Sequence, residues 1–285
     1  ALFYYHALDL FRNIPFITEN DPLVGYLPPR YTGAQIFNYI ESELNAITNT
    51  SDTNNCLSAN GSDMYGRATL GAAYTLQAKL YLNAKVYTNT DNQNVIAQGY
   101  SLESDYAKLF NADNHLRTNE IIFTLPVDAT NTVSWGSSTY IVCGAVSNTS
   151  ELQKPEDYGV KSGWGMFRVR GNIPELFTGY ENTDKRYMFF TTGQSQDVEI
   201  IDDQTNGYFV EKWTNLTDSK ETASNTADGG VNTDYPLFRL ADVYLMIAEA
   251  FKRGGTGIDA TTVVGYINDL QQRAYGDNSN NKTED

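Results

Sequence analysis

A chain of 285 residues with 41% hydrophobic side chains can bury a core as one large domain or two smaller ones. Twenty Lys and Arg against 35 Asp and Glu leave a net charge of −15, which argues against nucleic acid or an anionic membrane surface as a partner. No apolar run approaches the ~18 residues that a membrane helix needs.

The chain opens inside a helical pattern, Leu2-Phe3-Tyr4-Tyr5 through Phe11, with no capping residue ahead of it and no charged–apolar–small leader. A fragment whose leading part lies outside these residues is therefore expected. Thr32-Gly33-Ala34-Gln35 has the spacing of a capping box, and Ile36, Ile40, Leu44 and Ile47 then form one stripe. Gly66 to Ala84 reads as a second helix, with Ala72, Ala73 and Ala78 small enough to let a neighbouring helix approach closely.

Between residues 111 and 235 the periodicity fades into Gly, Ser, Thr, Asn and Asp. Glu120 to Pro126 and Tyr208 to Trp213 are strand candidates. A third helix is expected after Pro236, with Leu237, Leu240, Ala241, Tyr244, Leu245 and Ala248 on one face and Gly254-Gly255 at its end. A fourth covers Thr261 to Ala274, burying Val264, Ile267 and Leu270, and the polar tail from Gly276 reads as frayed. Alanine-rich helix pairs with Tyr at the contacts fit tetratricopeptide-like hairpins or a plain packed bundle. The fold expected is mainly α: helical parts at about 1–110 and 236–275, supporting a loop-rich lobe with a few short strands at about 111–235.

Signatures of catalysis are scarce. His6 and His115 stand alone, and no nucleophile elbow, zinc-binding His pair or phosphate loop occurs. Two carboxylates could form a glycosidase pair only through a spatial separation that sequence does not give. Cys56 and Cys143 are read as free thiols. Asn111-Ala112-Asp113-Asn114 offers oxygen ligands for a structural Ca²⁺ near Asp113, with a turn as the competing reading; no other cofactor is expected.

Aromatic residues make up 13% of the chain. Trp213 would share a strand face with Phe209, and Trp164, flanked by glycines and followed by apolar residues, also reads as packing. Trp135 differs, because its neighbours from Asn131 to Tyr140 are mostly small and polar and offer little to bury it. An indole can stack on the apolar face of a pyranose while the Asn131 amide and the Tyr140 hydroxyl bond sugar hydroxyls. Trp135, Tyr140 and Asn131 are thus the candidate carbohydrate-binding residues, against packing of Trp135 beneath its loop.

Several segments together resemble the SusD/RagB family, surface glycan-binding lipoproteins of the Bacteroidetes. They are Leu8-Asp9-Leu10-Phe11-Arg12-Asn13-Ile14-Pro15, Tyr65-Gly66-Arg67-Ala68, Ala78 to Tyr87, Gly163-Trp164-Gly165 with Leu176-Phe177 and Asp184-Lys185-Arg186, Pro236 to Leu245, and Ile267-Asn268-Asp269-Leu270 with Arg273-Ala274. The resemblance implies one SusD-like domain of tetratricopeptide-like hairpins supporting a loop-rich lobe. It also implies non-catalytic binding of a glycan at the outer-membrane surface and a SusC-like TonB-dependent transporter as partner. Within the family the starch-binding type is the nearest likeness, so starch or malto-oligosaccharide is the expected ligand and Trp135 a stacking residue. The family's N-terminal part, with its lipidated cysteine and further aromatics, and its C-terminal segment have no counterpart here. The connection from Thr88 to Gln98 is shorter than the family's usual one. The alternatives are another glycan or a peptide cargo on the same fold, a glycosidase, and a helical protein–protein adaptor with Trp135 packed.

Overall fold

The computed structural model describes residues 1–22, 24–89, 99–149, 151–223 and 230–284; residues 90–98 of the short connection lie outside them. Seven α-helices occur among the described residues: α1 (Leu2–Phe11), α2 (Gly33–Thr48), α3 (Leu70–Leu82), α4 (Ala84–Thr88), α5 (Ser137–Gly144), α6 (Leu240–Lys252) and α7 (Ala260–Tyr275). The strands are short: β1 (Ile14–Pro15), β2 (Arg30–Tyr31), β3 (Ile121–Leu125), β4 (Arg168–Val169), β5 (Phe189–Phe190), β6 (Tyr208–Val210) and β7 (Tyr235–Arg239). The molecule is mainly α, with long stretches outside regular structure. It forms two compact units, one from residues 1–100, 240–267 and 284, the other from 101–239 and 268–283.

The first unit is a set of packed helices. Thr32 and Gln35 close the capping box, the Thr32 hydroxyl accepting from the Gln35 N–H at 3.4 Å and the Gln35 side chain accepting from the Thr32 N–H at 2.9 Å. From that cap, Ile36, Ile40 and Leu44 fall on one face and are almost fully buried. Helix α2 packs on α1 and α3, and α3 packs on α6. Helix α3 starts at Leu70 rather than Gly66, because the Thr69 hydroxyl accepts the Ala72 N–H and takes the N-cap position. Its Ala72, Ala73 and Ala78 are buried as their size suggests; Leu76 and Leu80 share the face of Ala72 and Ala73, while Ala78, Tyr81 and Leu82 are buried on the others, which marks a helix enclosed on most sides.

The helix expected after Pro236 is corrected at its start and on its face. Residues 235–239 pair antiparallel with β3, Thr124 opposite Pro236 and Ile121 opposite Arg239, so the helix begins only at Leu240. Proline is tolerated because both strands of a two-stranded sheet are edges. The buried positions of α6 are Leu240, Ala241, Val243, Met246, Ile247 and Ala250, while Leu245 is exposed. On α7, Val263 and Ala274 are buried, and Val264, Ile267 and Leu270 only half-buried. The tail is tied rather than frayed at Lys282, whose N–H and carbonyl both bond the Asn268 amide side chain.

The second unit has small sheets, β3 with β7 and the order β4–β6–β5, and a partly polar interior. The strand read as Tyr208–Trp213 stops at Val210. Trp213 therefore leaves the sheet and stacks nearly parallel on Tyr235, at 5.7 Å and 4°. Glu120, Asn114, Asn215 and Thr233 are fully buried, each with hydrogen-bond partners. The Asn114 side chain bonds the Asp234 backbone in both directions, and the Asn215 side chain donates to the Gly159 carbonyl and accepts from Asn232. Glu120 holds Arg239 at 2.9 Å and Arg273 at 2.5 Å. Cys56 and Cys143 are both free, and burial pushes the Cys143 thiol up to about 11, which leaves it an unreactive packing group.

Candidate functional site

The segment carrying Trp135 leaves β3 through a turn built on Asp128. The Asp128 carboxylate accepts the N–H groups of Thr130 at 2.7 Å and Asn131 at 2.6 Å, and its own N–H donates to the Thr132 hydroxyl. Those backbone bonds to Asn131 and Thr130 hold its carboxyl below the usual carboxylate range. Two partners remote in sequence fix the base of the turn: the Val127 N–H donates to Asp234 at 2.6 Å and the Ala129 N–H to Asn232 at 2.9 Å.

Beyond the turn, the Gly136 N–H donates to the Ser134 hydroxyl, and the chain enters α5 through Ser137 at a φ of 52°. A non-glycine residue there costs about 1–3 kcal/mol, strain that surrounding structure must hold and that concentrates at functional segments. The small polar residues of 131–140 predict a loop. The structure turns its last four residues into the start of α5, which places Tyr140 in the first turn of a helix.

Residues 163–167 are laid against the end of that helix. Trp164 N–H donates to the Cys143 carbonyl, Gly165 N–H to Val146, and Met166 and Phe167 N–H to Gly144, satisfying carbonyls that a helix end leaves open. The approach is close enough to require glycine at position 163, where a Cβ would lie 2.0 Å from the Ser147 carbonyl oxygen. One side of Trp164 packs on Val142, Cys143, Val146, Val160 and Val231. Its ring also lies 6.0 Å from Trp135 and 6.0 Å from Tyr140, inclined by 51° and 53°, and Tyr140 meets Phe167 edge-on at 4.8 Å.

The result is a surface aromatic platform. Trp135 is 67% exposed and Tyr140 40%, so both offer ring area to solvent. Of the three residues singled out from sequence, Trp135 and Tyr140 are brought together through Trp164, which had been read as packing alone. Asn131 is exposed and is used within the turn, its amide donating to Asp128 at 3.2 Å. Trp164 and Phe167 were missed as members of the platform; the glycines flanking Trp164 were the sequence signal, since they mark a close backbone approach. Inclined rings with free edges can take the apolar faces of sugar rings while leaving hydroxyl groups to solvent and to neighbouring amides.

Elsewhere in this unit, Asp113, Asp128, Asp234, Asn232, His115 and Thr217 line a polar cavity of about 330 Å³. Its carboxylates staple loops: Asp113 accepts the Asp218 N–H, as Asp234 and Asp128 accept those of Val127 and Thr130. Asn111 and Asp113 form the turn that competed with a Ca²⁺ site, the Asn111 side chain accepting the Asp113 N–H. Among the described residues no three or more His, Cys, Asp or Glu side chains are gathered so as to hold a metal ion. No helix among them is long and apolar enough to cross a membrane.

Comparison with known proteins adds to this geometry. The SusD family model matches residues 180–285. The starch-binding protein SusD of Bacteroides thetaiotaomicron is 30% identical, over 96% of this chain and 56% of its own length. The surface glycan-binding protein A of the same organism, solved in complex with laminarihexaose, superposes with a TM-score of 0.64 at 19% identity, covering 100% of this chain and 61% of its own. A SusD superfamily protein from Parabacteroides distasonis gives a TM-score of 0.67 at 21% identity, over 96% and 57% of the two chains. The chain thus spans less than two thirds of the length of these relatives.

Proposed function

We propose, from the premise that this chain is SusD-like in sequence and fold, that it is a non-catalytic glycan-binding protein whose sugar-stacking surface is the platform of Trp135, Trp164 and Tyr140. The observation that carries this reading is the exposed indole of Trp135 beside a second, half-buried indole at 6.0 Å. A packed Trp135 was what the adaptor alternative required, and a ring that is 67% exposed speaks against it.

In its finer form the ligand is a starch-type α-glucan, a choice that leans on the relative named for starch binding. The neighbour solved with laminarihexaose shares the fold alone, and makes laminari-oligosaccharides the necessary comparison arm. Attachment at the outer-membrane surface and delivery of oligosaccharide to a SusC-like TonB-dependent transporter belong to the same proposal and rest on the family resemblance.

An open platform of this kind binds weakly, with Kd on the order of 10–1000 µM, or about 4–7 kcal/mol. The test is electrophoresis of the 285-residue chain through gels containing amylopectin or laminarin, with Trp135→Ala alongside. The expected outcome is retardation of the wild type by amylopectin, its loss in Trp135→Ala, and an unchanged unfolding temperature. Retardation by laminarin alone would move the ligand to a β-glucan. Equal retardation of the variant would remove Trp135 from the site.

A further inference from the structure

The platform is gripped from a side that its sequence neighbourhood does not reveal. The Gln204 side chain lies across Gly165, so close that a Cβ at that glycine would sit 2.3 Å from the Gln204 amide nitrogen, and Gly165 itself has a φ of +64°. The same amide reaches the segment that follows α5. Its Oε1 accepts from the Ser147 hydroxyl at 2.8 Å and from the Asn148 N–H at 3.2 Å, while its Nε2 donates to the Asn148 side-chain oxygen at 2.7 Å. Its backbone is held in turn, the Gln204 carbonyl accepting from the Gln194 side chain at 2.8 Å.

The hydrogen bonds continue inward. Ser147 N–H donates to the Gln153 side chain, Gln153 donates to the Tyr158 hydroxyl, and Tyr158 donates to Glu211. Burial, reinforced by the Glu211 carboxylate, pushes the Tyr158 phenol up, so it remains a donor at neutral pH. Gln204 is therefore the outer end of a chain of polar groups anchored in the interior of this unit.

We infer that Gln204 is the positioning residue of the aromatic platform: it clamps the Gly163–Phe167 loop against the end of α5 and so sets the angle at which Trp164 meets Trp135 and Tyr140. The loop is bonded on one side to the carbonyls of residues 143–146 and covered on the other by Gln204. Glycine at both 163 and 165 makes this backbone intrinsically loose, so beyond the packing of Trp164 on the valine cluster its order comes from those two sides. Trp135 finds a ring partner in Trp164, and whatever fixes Trp164 also fixes the exposed half of the platform. Pre-organisation of this kind raises affinity by removing ordering costs, without any contact between the positioning group and the ligand.

The inference rests on the glycan-binding reading, and its test has one arm that needs no glycan. Two indoles 6.0 Å apart couple their transitions, so circular dichroism carries a Trp–Trp signature that Trp135→Phe abolishes and that serves as the zero. Gln204→Ala is expected to weaken or abolish that signature and to lower affinity for maltohexaose roughly three- to tenfold, the scale of losing one or two hydrogen bonds. Gln204→Glu keeps both acceptor bonds and lets the Asn148 amide turn to donate. It is expected to restore the signature and most of the affinity, and it carries the test if the alanine variant does not fold. A wild-type signature in Gln204→Ala overturns the inference, even if affinity falls, because Gln204 would then act by touching the sugar. Unchanged binding in Trp135→Ala would instead sink the glycan-site reading and leave the dichroism to decide the role of Gln204.

Discussion

The α2–α3 pair and the platform segments at 127–147 and 163–167 are both ordered, and they are ordered by different means. In the helices each backbone group finds its partner within a turn, and side chains such as Ile40 and Leu80 need only point the right way to be buried. In the platform part of the backbone is satisfied by side chains far away in sequence: Asp234 for Val127, Asn232 for Ala129 and, just past the first segment, Gln204 for Asn148. Helices are specified by period and tolerate exchanges that keep it. Loops of the second kind are specified by individual polar residues, each of which leaves a backbone group unsatisfied when removed.

The contrast can be broken where it should be sharpest. All three tryptophans lie in the second unit, so their emission reports on that unit, while far-ultraviolet dichroism is weighted toward the helices. Glu120→Ala leaves two guanidinium groups, of Arg239 and Arg273, beside an empty buried site, and is expected to cost about 3–5 kcal/mol. In urea the tryptophan transition should move more than the helical one; equal movement would mean that the two regions unfold as one cooperative body. Leu80→Ala, at a fully buried position of α3, is expected to cost about 3 kcal/mol and to act first on the helical signal. A larger effect on tryptophan emission would reverse the assignment.

The smallest effect concerns pH. The Asp128 carboxyl is depressed by the Asn131 and Thr130 N–H groups it accepts, so the turn's contribution is complete above the usual carboxylate range and is lost as pH falls through the lowered value. Trp135 emission in the native protein should therefore change at the acid end of that range. Asp128→Asn keeps an acceptor and does not titrate, so the change should vanish in it; persistence would assign the transition to another group.

Much of the helical part could be read in the chain itself. The Thr32–Gln35 box and the Ile36, Ile40, Leu44 stripe stand where the pattern put them, because capping and period are local properties. The same local rule misplaced the start of α6, since Pro236 signals a helix N-terminus until a strand such as β3 is available to pair with it. At the site, Trp135 was legible because a large ring among small polar residues has nothing nearby to bury it. Trp164 packs on the valine cluster as its sequence suggests, but its second face was not legible, because its glycines permit an approach to the end of α5 that only the folded chain displays.

Composition, charge, capping and helical period thus determined the mainly helical architecture, the weakness of any case for nucleic acid or a membrane span, and the prominence of Trp135. Tertiary structure alone decided that Trp164 and Tyr140 share a surface with it, that Asn131 is used within its own turn, and that Gln204 lies across Gly165. The reason is the range of the forces. Helical hydrogen bonds close within four residues and leave a period in the sequence. The tertiary bonds that shape the platform join residues roughly twenty to a hundred apart, and such pairs leave no period to read.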